Sequence, residues 1–91
     1  MWIYFEMTKI NNNVFASFFH LGFDKKDNAF DRFEEAVYNW ETSERGKIPN
    51  VKIVKFARDK DTRYLHYKGE DGYEKIFSVN EVIEEDRPIL Y

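Results

Sequence analysis

The sequence of 91 residues contains no cysteine, two prolines and four glycines. Without cysteine, the chain can form no disulfide, no thiol nucleophile and no cysteine-ligated metal site. It also has no apolar run near 18 residues, and Glu6 interrupts the N-terminal apolar stretch. These features argue against a membrane span and against a secretory signal. We therefore expect a soluble, cytoplasmic protein with no membrane partner.

Sequence features that indicate a catalytic or metal-binding site are scarce as well. The two histidines fall in different predicted strands, and no glycine-rich phosphate loop precedes the predicted helix. Asp59 and Asp61 start a calcium-loop pattern, but Arg63 and Tyr64 occupy its next acidic and glycine positions. We therefore predict a non-enzymatic protein with no catalytic residue, no metal site and no cofactor.

Aromatic side chains, in contrast, are abundant, with nine Phe, six Tyr and two Trp. A chain of this length forms one domain, here residues 1–91, and buries only about 60–65% of its unfolded surface. The stripe of one helix on one sheet face cannot cover every large ring in such a domain. The surplus predicts an exposed aromatic patch, a common feature of partner-binding surfaces.

The N-terminal third predicts two strands. Residues 2–9 alternate, which places Ile3 and Phe5 on one side of a strand and Trp2 and Tyr4 on the other. Asn11, which begins a run of three asparagines, marks a turn. Residues 14–23 are apolar on both alternating sets, as is typical of a central strand covered on both faces, although the same stretch also fits a helix.

Residues 28–45 change to the helical period. Phe30, Phe33, Val37 and Trp40 fall on one stripe, and most acidic residues lie elsewhere on the helix. Gly46 directly after this segment predicts a left-handed helix end. This is the one long amphipathic helix of the chain.

The second half predicts a meander of three strands, over residues 51–58, 63–68 and 73–79. Asn80 begins a predicted last helical turn that extends to Glu84, and the apolar residues 89–91 are expected to dock on the domain. The predicted order is therefore ββαβββ, an α+β fold with the helix packed on a mostly antiparallel sheet.

The charges are distributed unevenly along the chain. Residues 47–68 carry seven basic and two acidic side chains, whereas residues 69–91 carry two basic and seven acidic ones. One interpretation is that these blocks pair with each other after folding, since surface ion pairs are common and individually weak. The other is that the basic block meets an acidic partner.

The strand pairing predicted for the meander supports the interpretation that the basic block meets an acidic partner. Four-residue turns would place Lys55 opposite His66 and His66 opposite Lys75 on one face of the sheet. Basic groups between aromatic rings are the ingredients of a platform for single-stranded nucleic acid or a nucleotide-like anion, although they are also ordinary on the outer face of a sheet. The candidate residues are Lys55, Tyr64, His66, Lys68, Tyr73 and Lys75.

The leading functional hypothesis is a protein-binding role. Residues with AT-rich codons dominate the composition, which favours a low-GC bacterium, or a phage or mobile element in one, as the source. A small acidic protein of that origin could inhibit or regulate a host protein such as a nucleic-acid-acting defence enzyme. The sequence leaves open whether it acts as a monomer or a homodimer. The candidate partner-binding residues are Glu34, Glu35 and Glu41 on the helix, with Trp2 and Tyr4.

Overall fold

The computed structural model describes residues 1–82, and within them the predicted α+β fold is confirmed. All strand pairs are antiparallel, and the strands lie in the spatial order β2-β1-β5-β4-β3. The elements in chain order are β1 (Trp2–Lys9), β2 (Ser17–Phe23), α1 (Lys26–Ser43), a 3-10 turn (Arg45–Lys47), β3 (Lys52–Arg58), β4 (Arg63–Lys68), a second 3-10 turn (Glu70–Gly72) and β5 (Glu74–Glu81).

Strand β5 continues through Asn80 to Glu81 because it pairs along its whole length with β1. The prediction that a helical turn begins at Asn80 is therefore wrong. The remainder of that turn and the predicted docking of residues 89–91 lie outside the described residues. The predicted left-handed helix end at Gly46 is also wrong. Helix α1 stops at Ser43, and Gly46 is the middle residue of the 3-10 turn that follows.

Helix α1 forms because its apolar residues recur at the helical period. Ala29, Phe33 and Trp40 are buried, and Ala36 and Val37 pack beside them. The helix packs chiefly on β5, the central strand of the sheet, and on its neighbour β1. Its stripe therefore defines the core, which continues into the sheet through Tyr4, Tyr67, Phe77 and Val79.

Aromatic contacts hold the helix to the sheet. The Trp40 and Tyr67 ring centroids lie 4.6 Å apart, and Phe77 meets both Trp40 and Phe33 edge-on at 5.8 and 6.5 Å. Each fully buried ring stabilises the fold by about 1.5–3 kcal/mol through removal of apolar surface from water. Much of the aromatic surplus in the sequence is used here.

The face of β1 that meets the helix carries Trp2, Tyr4, Glu6 and Thr8. Tyr4 is fully buried, so the expectation of an exposed patch built from Tyr4 is wrong. The alternation of β1 was predicted correctly, but it does not show which side the helix covers, because both sides carry large apolar residues. The opposite side, with Ile3 and its alternating neighbours, lies on the sheet face away from the helix.

Strand β2 is an edge strand and not the covered central strand that its composition predicts. It pairs only with β1 among the described residues, and every position except Phe23 is exposed. Continuous apolar character is typical of a strand buried on both faces, but it does not determine a strand's place in the sheet. The apolar side chains of β2 therefore remain at the surface.

Of the two strand registers predicted for the meander, the one between β3 and β4 is confirmed and the one between β4 and β5 is wrong. Lys55 lies opposite His66 as predicted, but His66 lies opposite Ile76 and not opposite Lys75. The β4–β5 connection is one residue longer than assumed, and its 3-10 turn ends at Gly72, with φ of 85°. Glycine is favoured there because this positive φ is strained for residues with a side chain, and a Cβ would also press against the Asn12 side chain.

Candidate protein-binding site

The outward side of α1 is lined by acidic residues. Asp27, Asp31 and Glu35 recur every four residues, so they lie in one row on the helix surface, about 6 Å apart along the axis. All three are exposed and form no ion pair or side-chain hydrogen bond within residues 1–82. Tyr38 continues the row and is 67% exposed. We call these four residues the outer helix row.

Two of the three predicted helix acids are used inside the protein. Glu34 lies 2.8 Å from Arg58 and 3.6 Å from Arg63, counted from its Oε1 atom to the guanidinium nitrogens. Those two arginines lie directly opposite each other on β3 and β4. Glu34 thus neutralises a like-charge pair and connects the helix to the sheet, so it is not a free acid.

Glu41 is the second acid with internal partners. It accepts hydrogen bonds from the Tyr67 hydroxyl and from Arg45 Nη1, the latter at 2.8 and 2.9 Å. Partial burial acts to raise the pKa of Glu41, but the hydrogen bonds from Tyr67 and Arg45 outweigh it and hold the pKa below its ordinary value. Burial and the bond to Glu41 raise the pKa of Tyr67. Among the predicted helix acids, Glu35 alone stays unpaired in the described residues.

The aromatic residues predicted for the same surface contribute little to it. Trp2 is half-buried, with its ring 6.0 Å from Phe30 in an edge-on contact and 5.8 Å from Lys26 Nζ. Tyr4 lies in the core, and it donates a hydrogen bond to Glu6. Burial, together with that bond, raises the pKa of Tyr4. Tyr38, which no sequence pattern indicated as a binding residue, is the exposed ring of the helix.

The basic face predicted on the meander is only partly assembled. Lys75 lies on the helix side of the sheet, where it is 8% exposed and donates hydrogen bonds to Glu6 Oε2 at 3.1 Å and Thr8 Oγ1 at 2.7 Å. The extra residue in the β4–β5 connection places it there. Tyr73 is half-buried against the core, and burial raises its pKa. Neither residue can take part in a platform on the open face.

Four of the predicted residues do share the face away from the helix: Lys55, Tyr64, His66 and Lys68. Lys55 Nζ lies 5.4 Å from the centroid of the Tyr64 ring, and His66 Nε2 lies 2.9 Å from Glu74 Oε1. Lys68 lies directly opposite Lys52, which the sequence analysis did not select, and both are exposed. Lys52, Lys55 and Lys68 therefore share this face and form no ion pair within residues 1–82, whereas Lys9 on the same face lies 3.9 Å from Glu74.

A pocket of about 260 Å³ opens between α1 and β1. Arg32, Glu35, Glu6 and Lys75 place charges of both signs around it. The Arg32 guanidinium lies over the rings of Tyr4 and Phe19, at 5.6 and 5.9 Å from their centroids. Lys75 and Glu6 pair with each other at the edge of this pocket, whereas Glu35 is unpaired within residues 1–82.

Residues 1–82 contain no cluster of three or more histidine or acidic side chains placed to hold a metal ion. No helix in the same part of the chain is long and apolar enough to cross a membrane. Comparison with protein-family models, with curated proteins and with solved structures finds no match to this chain.

Proposed function

We propose that this chain is a small non-enzymatic protein of a phage or mobile element that binds a host protein and inhibits or regulates it. The observation that carries the proposal is the outer helix row. Three carboxylates in line present a regular repeat of negative charge, and the exposed Tyr38 beside them is a typical interface anchor. The other helix acids, Glu34 and Glu41, hold the helix in position.

The negative charge of the row supports a partner protein with a basic groove. Carboxylates in line resemble a nucleic-acid backbone in sign and regular repeat, and such a row is attracted to surfaces that bind nucleic acid. A nucleic-acid-acting defence enzyme of the host has such a surface. Occupation of its groove by α1 would exclude the substrate without any reaction on the part of this protein.

The test is capture of a partner from host lysate by the immobilised protein, followed by measurement of the affinity for the purified partner. Glu35→Lys should weaken binding at least about tenfold. It should reduce the association rate most at low salt, because charged residues at the rim of an interface act mainly on the rate at which the two proteins associate. Glu70→Lys is the matched control, since it makes the same change of net charge at an exposed turn away from the row. Equal effects of the two variants would contradict the proposal, as would recovery of no partner.

A second candidate function rests on a separate observation, the two lysines that face each other at the end of the β3–β4 ladder. Like charges in directly opposite positions destabilise a sheet, and an external anion between Lys52 and Lys68 would relieve that repulsion. With Lys55 and Tyr64 on the same face, this anion would be a single-stranded nucleic acid or a nucleotide.

Fluorescence anisotropy with labelled single strands at low ionic strength tests this candidate. Binding should weaken steeply as salt increases, and Lys68→Glu should abolish most of it. Lys60→Glu, at the exposed turn on the other end of the ladder, is the control. Titrations that stay flat at low salt would eliminate the candidate and leave the protein-binding proposal unaffected.

A further inference from the structure

The two edges of the sheet differ in how they are protected against pairing with another strand. The edge strand β3 carries Lys52, Lys55 and Arg58 and has a bulge at Val54, which are features that keep other strands from adding to an edge. The edge strand β2 contains no charged residue, no proline and no bulge. We infer that β2 pairs with β2 of a second copy of this chain, so that the two sheets join in a symmetric antiparallel dimer.

The side chains of β2 also leave apolar surface uncovered on both of its faces. Phe18 is 66% exposed on the face away from the helix, and Phe19 and Leu21 are 43% and 37% exposed on the helix face. The helix leaves Phe19 and Leu21 partly exposed because it packs chiefly on β1 and β5. A second β2 strand beside this edge would place its own side chains next to these on both faces of the sheet.

Two copies of β2 can pair in antiparallel fashion along their whole length, with compatible side chains opposite each other, when His20 lies at the centre of the pairing. With His20 at the two-fold axis, Phe19 lies opposite Leu21 of the partner subunit, and Phe18 lies opposite Gly22 of the partner subunit. Antiparallel pairs keep opposed residues on one face, so an aromatic ring meets an aliphatic side chain on the helix face. On the other face the Phe18 ring meets the surface around Gly22 of the partner subunit, which the side chains of Met1 and Ile3 cover in each copy, so that the ring packs on apolar groups.

Charge favours a second copy of β2 over the other available edge. The protein carries a net charge of −3, yet β2 itself has no acidic or basic residue other than His20, so two copies meet without like charges at the contact. Pairing of β2 with β3 of another molecule would meet lysines and a bulge. It would also be a head-to-tail contact, which leads to a ring or an open filament and not to a two-fold dimer.

The exposed area sets the expected strength. Phe18, Phe19 and Leu21 together expose on the order of 300 Å² in each copy. With the paired backbone, the contact lies near the lower limit of about 1,000 Å² for a specific interface. We therefore expect a dissociation constant in the micromolar range.

Sedimentation equilibrium over a concentration series tests the dimer. The wild-type protein should move from 11.1 kDa towards twice that mass as its concentration rises. His20→Glu and His20→Lys should each weaken association at least about tenfold, because like charges then meet at the axis. An equimolar mixture of the two variants should associate again, since opposite charges then meet. Lys55→Glu, on the same sheet face at the protected edge, should leave the dimer intact.

Amide hydrogen exchange gives a second measurement that needs no substitution. Protection of the β2 amides should increase with protein concentration, while that of the β3 amides should not. A wild-type protein that stays monomeric up to about millimolar concentration would overturn the inference, as would His20→Glu dimers of unchanged strength. Assemblies that grow without limit would also overturn it, because they indicate head-to-tail contacts. None of these outcomes bears on the outer helix row.

Discussion

Lys75 and Glu6 form an ion pair across the β5–β1 ladder beneath the helix, with 3.1 Å between Nζ and Oε2. Lys75 is almost fully buried, and the second oxygen of Glu6 accepts a hydrogen bond from Tyr4. The basic residue that the sequence suggested for anion binding thus satisfies an internal carboxylate. A polar group of this kind in a partly apolar site stabilises the fold only while all of its members are present.

Lys75→Met should lower the free energy of unfolding by about 1–3 kcal/mol, less than for a fully buried pair because Glu6 keeps some access to water. Lys68→Met is the matched control at an exposed position of the neighbouring strand, with an expected change within about 0.5 kcal/mol. Urea denaturation measures both. Equal losses for the two variants would contradict the structural role of Lys75.

Glu34→Gln should destabilise the protein by about 0.5–1 kcal/mol, because it leaves Arg58 and Arg63 facing each other without a shared carboxylate. The groups are partly exposed, so the loss should shrink as salt is added. Glu35→Gln is the control, since Glu35 is the next residue in the chain but lies on the outer helix row, and it should have almost no effect on stability. An equal loss in Glu35→Gln would contradict the assignment of Glu34 as the carboxylate that connects helix and sheet.

Glu41 should make the stability depend on pH in the acid range. Its pKa in the folded protein lies below the ordinary value of 4.5, so the carboxylate favours folding above that value, and this contribution is lost as the pH falls through the lower folded value. Glu41→Gln should therefore lose less stability than the wild-type protein on acidification. Parallel curves of unfolding free energy against pH for the two proteins would contradict this prediction.

Tyr4, Tyr67 and Tyr73 should resist ionisation at alkaline pH. Their pKa values are raised, by burial above all, so folding is favoured below the ordinary value of 10.0, and this contribution is lost as the pH rises above it. The tyrosinate absorbance of these residues should appear only together with unfolding, which circular dichroism follows. Full ionisation of all tyrosines in a protein that is still folded would contradict the burial of these three.

Phe33→Ala should cost about 3–5 kcal/mol, because Phe33 lies in the centre of the core against Phe77. A chain of this size has little stability to lose, so the variant is expected to be largely unfolded at 37 °C. Phe56→Ala is the control, since that ring is mostly exposed on β3. The midpoint of thermal unfolding, measured for both variants, tests this prediction. Similar midpoints for the two would contradict the assignment of Phe33 to the core.

The secondary structure was predictable because it depends on local periodicity. The change from period two to period 3.6 near residue 28 located the helix within two residues at each end, and the alternation of β1 gave its bounds correctly. The candidate site was less predictable. Glu35 stays unpaired in the described residues, whereas Arg58, the partner of Glu34, and Tyr67, a partner of Glu41, lie more than twenty residues away in the chain. The helix pattern does not encode the packing of those strands, although the spacing of four residues does bring Arg45 to Glu41.

The amino-acid sequence by itself determined the order of the elements, the apolar stripe of the helix and the absence of disulfides, because each depends on residue types and on spacing within one segment. Only the tertiary structure decided which side of β1 the helix covers, that β2 is an edge, and that Lys75 faces inward. The physical reason is that one added residue in the β4–β5 turn, or the choice of a neighbouring strand, moves whole sets of side chains between faces while local patterns stay the same.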